Sequence, residues 1–360
     1  MNVENMKSLV IGNLTARLPI IQGGMGIGVS LSRLSAAVAN QGGIGVISAA
    51  GIGLGEPDAY SNYLEANIRA LRKEIRKARE MTKGILGVNI MVALSNFGDY
   101  VKASIDEGID IIFSGAGLPL NLPELSKGSE KTKLVPIVSS GRAAKIIIKK
   151  WMDKYNYLPD AIVVEGPKAG GHLGFKEDQL EDPKYSLETI LIDVLDTVKT
   201  FEEQYSRKIP VIAGGGIYSG ADIHKFMDLG AAGVQMGTRF VTTIECDASD
   251  GFKNSYIDAT KEDIGIIKSP VGMPGRAIKN SFIAQVEAGE KIPFKCPYHC
   301  IVTCDHTNSP YCIALALDNA QKGKMKNGFA FAGENAYKAE KIISVSQLTD
   351  NLIEEFNQSF

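Results

Sequence analysis

The sequence predicts an α/β fold: a (β/α)8 TIM barrel with a mostly helical C-terminal insertion. Three observations carry that reading. Eight short apolar runs recur before residue 240, segments with helical patterning separate them, and glycine-rich loops follow the last three runs. Strands alternating with helices imply parallel β-α units. Eight units in about 230 residues favour a closed barrel. A doubly wound sheet is the alternative, because periodicity alone does not prove closure.

The runs are Pro19–Met25, Ile44–Ala49, Ile85–Val92, Ile109–Ser114, Leu134–Ser139, Ala161–Glu165, Ile209–Gly214 and Gly233–Gly237. Between them, Tyr60–Met81 is long, charged and amphipathic, and Ile146–Met152 and Leu187–Tyr205 read likewise. Ser219 is placed to cap a helix over Ser219–Leu229. The barrel is expected over residues 8–245. Residues 246–330 break the alternation and read as a helical insertion carrying a cysteine cluster. Residues 331–360 are expected to pack back on the barrel, with a last helix near Asp350–Phe356.

Lys plus Arg is 39 and Asp plus Glu is 41 in 360 residues, a net charge of −2, so no basic excess points to nucleic acid. The first seven residues lack the apolar core of a signal peptide, and no apolar run approaches the roughly 18 residues of a membrane span. A cytoplasmic enzyme acting on a small molecule is expected. Oligomeric state is not legible.

Barrel active sites lie at the C-terminal ends of the strands, and phosphate sites often follow strands seven and eight. The loops there are Ala213-Gly214-Gly215-Gly216-Ile217 and Met236-Gly237-Thr238-Arg239-Phe240. Each could be a bare tight turn. Two at adjacent strand ends point instead to a phosphate held by backbone N–H groups, the Thr238 hydroxyl and the helix opening near Ser219. The sixth loop, Glu165-Gly166-Pro167-Lys168-Ala169-Gly170-Gly171-His172, adds a histidine at the barrel mouth. No second metal ligand stands beside His172, so it reads as an acid/base group. The first strand ends Gln22-Gly23-Gly24-Met25, which offers backbone and a thioether to a flat ring. Asn89 is polar within an apolar run and needs partners, which a ring or a plain structural bond would supply. Hydrolase and kinase motifs are absent.

These pieces together resemble the nitronate monooxygenase family, formerly 2-nitropropane dioxygenases. They are similar in the same degree to flavin-dependent enoyl-acyl-carrier-protein reductases. Gly275–Asn280 and Phe331-Ala332-Gly333 match weaker family patterns. The resemblance implies an FMN-binding barrel. Gln22, Gly23, Gly24, Met25, Asn89, Glu165 and Met236 would meet the flavin. Gly171, Gly214, Gly215, Gly216, Gly237 and Thr238 would serve its phosphate side, Gly170 would be a further cofactor contact, and His172 would be the catalytic histidine. Alkyl nitronate oxidation by oxygen is one implied activity; NAD(P)H-dependent reduction of an enoyl thioester or a quinone is the other. Glu334 stands where the family usually has Gln and would bring negative charge near the substrate. Inosine-monophosphate dehydrogenase relatives need a cysteine on a barrel loop, and no Cys precedes residue 246. A non-enzymatic flavin carrier would leave His172 without a task.

Cys296, Cys300, Cys304 and Cys312 form a second departure from the family. The first three would share one face of a helix. Four thiolates could bind zinc or an iron–sulfur cluster. Their spacing fits no ferredoxin or zinc-finger run, and small packing thiols in a helical excursion are the alternative.

Overall fold

Eight parallel strands close into a barrel in a computed structural model that describes residues 6–359 other than 130 and 293. The first five residues, on which part of the leader reading rests, lie outside the described ones. A hairpin, β1 (Leu9–Ile11) with β2 (Leu14–Ala16), precedes the barrel. The barrel strands are β3 (Ile20–Gln22), β4 (Ile44–Ser48), β5 (Ile85–Asn89), β6 (Ile111–Ser114), β7 (Lys133–Val138) and β8 (Ile162–Glu165). After β9 (Gly171–His172), β10 (Val211–Gly214) and β11 (Gly233–Met236) complete it, and β11 pairs with β3 to close the ring. Seven lie within the expected runs, and β7 starts one residue before its run, at Lys133.

Both faces of these strands are buried, so they read as continuous apolar runs rather than alternating ones. Ile21, Val46, Phe113, Val135, Val163 and Ile212 point into the barrel, joined by Leu9 and Ile11 of the hairpin. Val88, Ile112, Leu134, Ile162, Val211 and Val234 belong to the layer shared with the helices.

The helices between strands are α1 (Ser32–Asn40), α2 (Tyr63–Met81), α3 (Phe97–Asp106), α4 (Leu122–Leu125), α5 (Gly141–Tyr155), α6 (Leu187–Tyr205), α7 (Gly220–Asp228) and α8 (Thr238–Val241). Helix α2 buries Ala66, Ala70, Leu71, Ile75 and Ala78 on one face. Its arginines face outward, and Arg72 and Arg76 bond Glu107 beside α3. Ser140 caps α5, and Asn156 ends it in the left-handed region at φ 50°.

Residues 246–330 contain α9 (Asp250–Ile257), α10 (Ser281–Glu287) and α11 (Ile313–Gln321). They also contain a hairpin absent from the sequence reading: β12 (Ile264–Lys268) with β13 (Pro274–Ile278). Strand β13 pairs antiparallel with β9, so this excursion is stitched to the sixth barrel loop. The cysteine segment is not helical: the described residues of 288–312 hold no helix or named strand. Pro297 disfavours helical backbone at Cys296, and His299 has φ 43°. The tail crosses the barrel mouth at residues 331–335 and ends in α12 (Val345–Asn357), packed on α7 and α1.

Candidate active site

A cavity of about 810 Å³ opens at the C-terminal ends of the barrel strands. Its walls come from the loops after the strands, from residues 252–317 of the excursion, and from the tail strap 331–335.

The glycine loops form one wall. Gly215 and Gly216 have φ of 99° and 84°, the left-handed region that side chains resist. A Cβ at Gly215 would stand 2.8 Å from the Gly166 carbonyl oxygen. These positions demand glycine, and they bring bare backbone to the cavity. Thr238 opens α8 at the same wall, and its Oγ1 accepts the Gly333 N–H at 3.0 Å, leaving its own O–H free to donate. Asn335 Nδ2 donates to the Gly216 carbonyl at 2.6 Å, which fixes the strap over the loop.

The helix opening near Ser219 is already satisfied. The Asp222 carboxylate accepts the N–H groups of Tyr218 and Ser219 at 2.9 and 2.8 Å, and Glu355 accepts that of Gly220 at 2.7 Å. An anion in this wall would therefore meet the loop amides and Thr238, not α7. Arg239 is also engaged, in a two-pronged pair with Glu355 at 2.9 and 2.8 Å. The negative charge expected from Glu334 is met by Lys168, whose Nζ pairs with it at 2.9 Å.

His172 lies on β9, against β13. Its Nε2 is 2.7 Å from Ser269 Oγ, and its ring meets Phe331 edge-on at 5.0 Å. Burial pulls the imidazole pKa down to about 4, so the ring is neutral at neutral pH. Glu165, at the end of β8, is the counterpart: burial pushes its carboxyl up to about 7. Among the described residues, no protein group bonds the side chains of Glu165 or Asn89, and both line the cavity. Asn89 sits against Gly24, where a Cβ would come within 2.4 Å of its own Cβ.

Of the expected site residues, Gly23, Gly24, Met25, Asn89, Glu165, Gly170, Gly171, His172, Gly215, Gly216, Met236, Gly237 and Thr238 all line the cavity. Gln22 and Gly214 do not. Gln22 is fully buried; its Oε1 accepts the Val46 N–H at 3.0 Å and its Nε2 donates to the Val46 carbonyl at 3.1 Å. It supplies ladder bonds between β3 and β4, whose backbone register contains a single pair, Ile21 with Ile44. Gly214 is the last residue of β10 and is taken up by the ladder with Gln235 and Glu165. Sequence reasoning missed Ser269 and Asn335. Ser269 lies after an unrecognised strand and gave no signal. Asn335, a polar residue just past Gly333, was a readable one.

Cys300 lines the cavity on the side away from the glycine loops, and Cys296, Cys304 and Cys312 lie near it. Among the described residues, no three His, Cys, Asp or Glu side chains already form a metal cage. No described helix is long and apolar enough to cross a membrane.

The nitronate monooxygenase family matches residues 7–355. The chain is 29% identical over 274 residues to the (3aS,4S,5R,7aS)-5-hydroxy-7a-methyl-1-oxo-octahydro-1H-indene-4-carboxyl-CoA dehydrogenase of Mycobacterium tuberculosis, covering 76% of this chain and 66% of that one. It is 26% identical to a Staphylococcus saprophyticus protein named "Probable nitronate monooxygenase", covering 98% of each. The structure of FabK from Thermotoga maritima superposes with a TM-score of 0.72 at 27% identity, covering 95% of this chain and 93% of that one. Barrel, glycine loops and cavity agree with these likenesses, and the chain belongs to the nitronate monooxygenase family, an oxidoreductase family.

Proposed function

We propose that the protein is an FMN-dependent oxidoreductase that oxidises alkyl nitronates with oxygen to a carbonyl compound and nitrite. The observation that carries the flavin is the glycine wall: left-handed Gly215 and Gly216 beside Thr238, at the ends of the seventh and eighth barrel strands. Bound there, FMN would supply two-electron redox chemistry to the cavity. The amides around Gly215–Ile217 and the Thr238 hydroxyl would take its phosphate. Gly23, Gly24 and Met25 offer backbone and a thioether to the ring. Asn89 offers an amide, and Glu165, held partly protonated by burial, offers an O–H. Neutral His172 accepts or returns a proton while Ser269 fixes its ring.

A second reading, NAD(P)H-dependent reduction of an enoyl thioester, is favoured by the likeness to FabK and by the carboxyl-CoA dehydrogenase relative. Anaerobic mixing with propyl nitronate, NADH and NADPH in parallel separates the two. Flavin bleached by the nitronate, with nitrite released once oxygen is admitted, is the expected result. Flavin left oxidised by the nitronate but bleached by NAD(P)H overturns the first reading. Turnover of an enoyl thioester would then establish the second.

A further inference from the structure

Cys246 shows what a packing cysteine looks like in this protein. It is fully buried in the main core, and its thiol faces the Val29 carbonyl at 3.4 Å. Cys296, Cys300, Cys304 and Cys312 are all only half-buried, and none is in a disulfide. Packing accounts for the first cysteine; of the four, Cys304 touches an apolar cluster, and all remain half-buried.

Their backbone points the same way. The described residues of 288–312 form a long connection without helix or named strand, a rarity inside a compact domain unless the loop has a task or a staple. The loop nevertheless follows a fixed course. The Ile292 N–H donates to the Pro310 carbonyl at 2.8 Å and joins the two ends of the loop. The Ser95 N–H donates to the Cys300 carbonyl at 3.1 Å, and the Val302 N–H to the Ala93 carbonyl at 3.0 Å, which hold the middle against the barrel loop after β5. The Tyr298 ring meets that of Tyr63 on α2 at 5.2 Å. The four thiols are electrostatic neighbours, although among the described residues no three stand at metal-ligand spacing: Cys300 feels Cys312, Cys296 and Cys304, while Cys312 feels Cys296 and Cys304. Cys312 also sits at the N-terminus of α11, where the N–H groups of Leu315 and Ala314 face its sulfur.

We propose that Cys296, Cys300, Cys304 and Cys312 are the ligands of a soft-metal centre, a zinc ion or an iron–sulfur cluster, that staples this loop to the wall of the cavity. Four thiolates are the shared chemistry of both centres. The thiols release their protons as the metal binds, and an irregular loop can draw its sulfurs inward as no helix could. The proposal does not depend on the flavin reading.

The test uses the full chain, purified without oxygen or chelator, with metal and acid-labile sulfide measured before and after incubation with Zn2+ or with Fe2+ and sulfide. About one zinc per chain, or about four iron with matching sulfide and a visible absorbance bleached by dithionite, is expected. Cys304→Ser should lower the bound metal at least about tenfold, with Cys296→Ser as the second variant if the first does not fold. Circular dichroism establishes folding in each. Folded wild-type protein holding less than about a tenth of an atom per chain after both incubations overturns the proposal. So does equal metal in wild type and folded variant.

Discussion

On one side of the cavity, Gly215 and Gly216 hold left-handed backbone, Asn335 pins the strap over them, and Lys168 and Arg239 are each paired with a carboxylate. On the other side, the described residues of 288–312 cross the wall with no helix or named strand and carry four half-buried thiols. The first wall is set by backbone geometry that the chain fixes alone. The second is held by a few backbone bonds to residues 93–95 and by its side chains. Substitutions in the first wall should therefore act on flavin, and substitutions such as Cys304→Ser in the second should act on metal and leave flavin bound.

The largest effect is expected from Gly215→Asp. The new Cβ would meet the Gly166 carbonyl, and a carboxylate would stand where a phosphate belongs. Flavin affinity should fall at least about a hundredfold, that is by more than about 2.7 kcal/mol. Absorbance near the flavin bands of the purified variant measures it; full retention would break the contrast between the walls. His172→Ala should leave flavin bound, since its ring bonds Ser269, but lower turnover about 10²- to 10⁴-fold where chemistry limits the rate. Unchanged single-turnover rates would remove its acid–base role.

Glu165→Gln tests the buried carboxyl by its pH dependence. The folded pKa is raised from 4.5 to about 7, so the folded, flavin-free wild type binds a proton more tightly than the unfolded chain does. This contribution is fully present below pH 4.5 and is lost as pH rises towards 7. Relative to wild type, the Gln variant should gain stability across that window, by up to about 3 kcal/mol. Urea titrations at several pH values read it, and a pH-independent difference would mean the carboxyl is not held neutral. The smallest effect is expected from Asn335→Ala. Losing its bond to the Gly216 carbonyl should cost about 1 kcal/mol, a roughly fivefold weaker flavin affinity.

The barrel was legible because both-face-buried strands leave continuous apolar runs, and the eight strands match them, β7 starting one residue early at Lys133. The glycine wall was legible because left-handed backbone at a strand end selects glycine. What stayed hidden depends on long-range pairing. Gln22 looks like a ligand residue in sequence, yet it repairs the ladder between β3 and β4. Ser269 reaches His172 only through the β12–β13 hairpin, whose Ile264–Lys268 and Pro274–Ile278 gave no strong strand pattern. The cysteine spacing of four mimicked a helix, while Pro297 between Cys296 and Cys300 was the local sign against it.

The identity of the group that the glycine wall would hold is the most direct test. Denaturing the purified protein and separating the released chromophore by chromatography identifies it. Close to one FMN per chain, lost in Gly215→Asp and kept in Cys304→Ser, is the predicted result. Release of FAD, or no flavin after incubation with FMN, would contradict it.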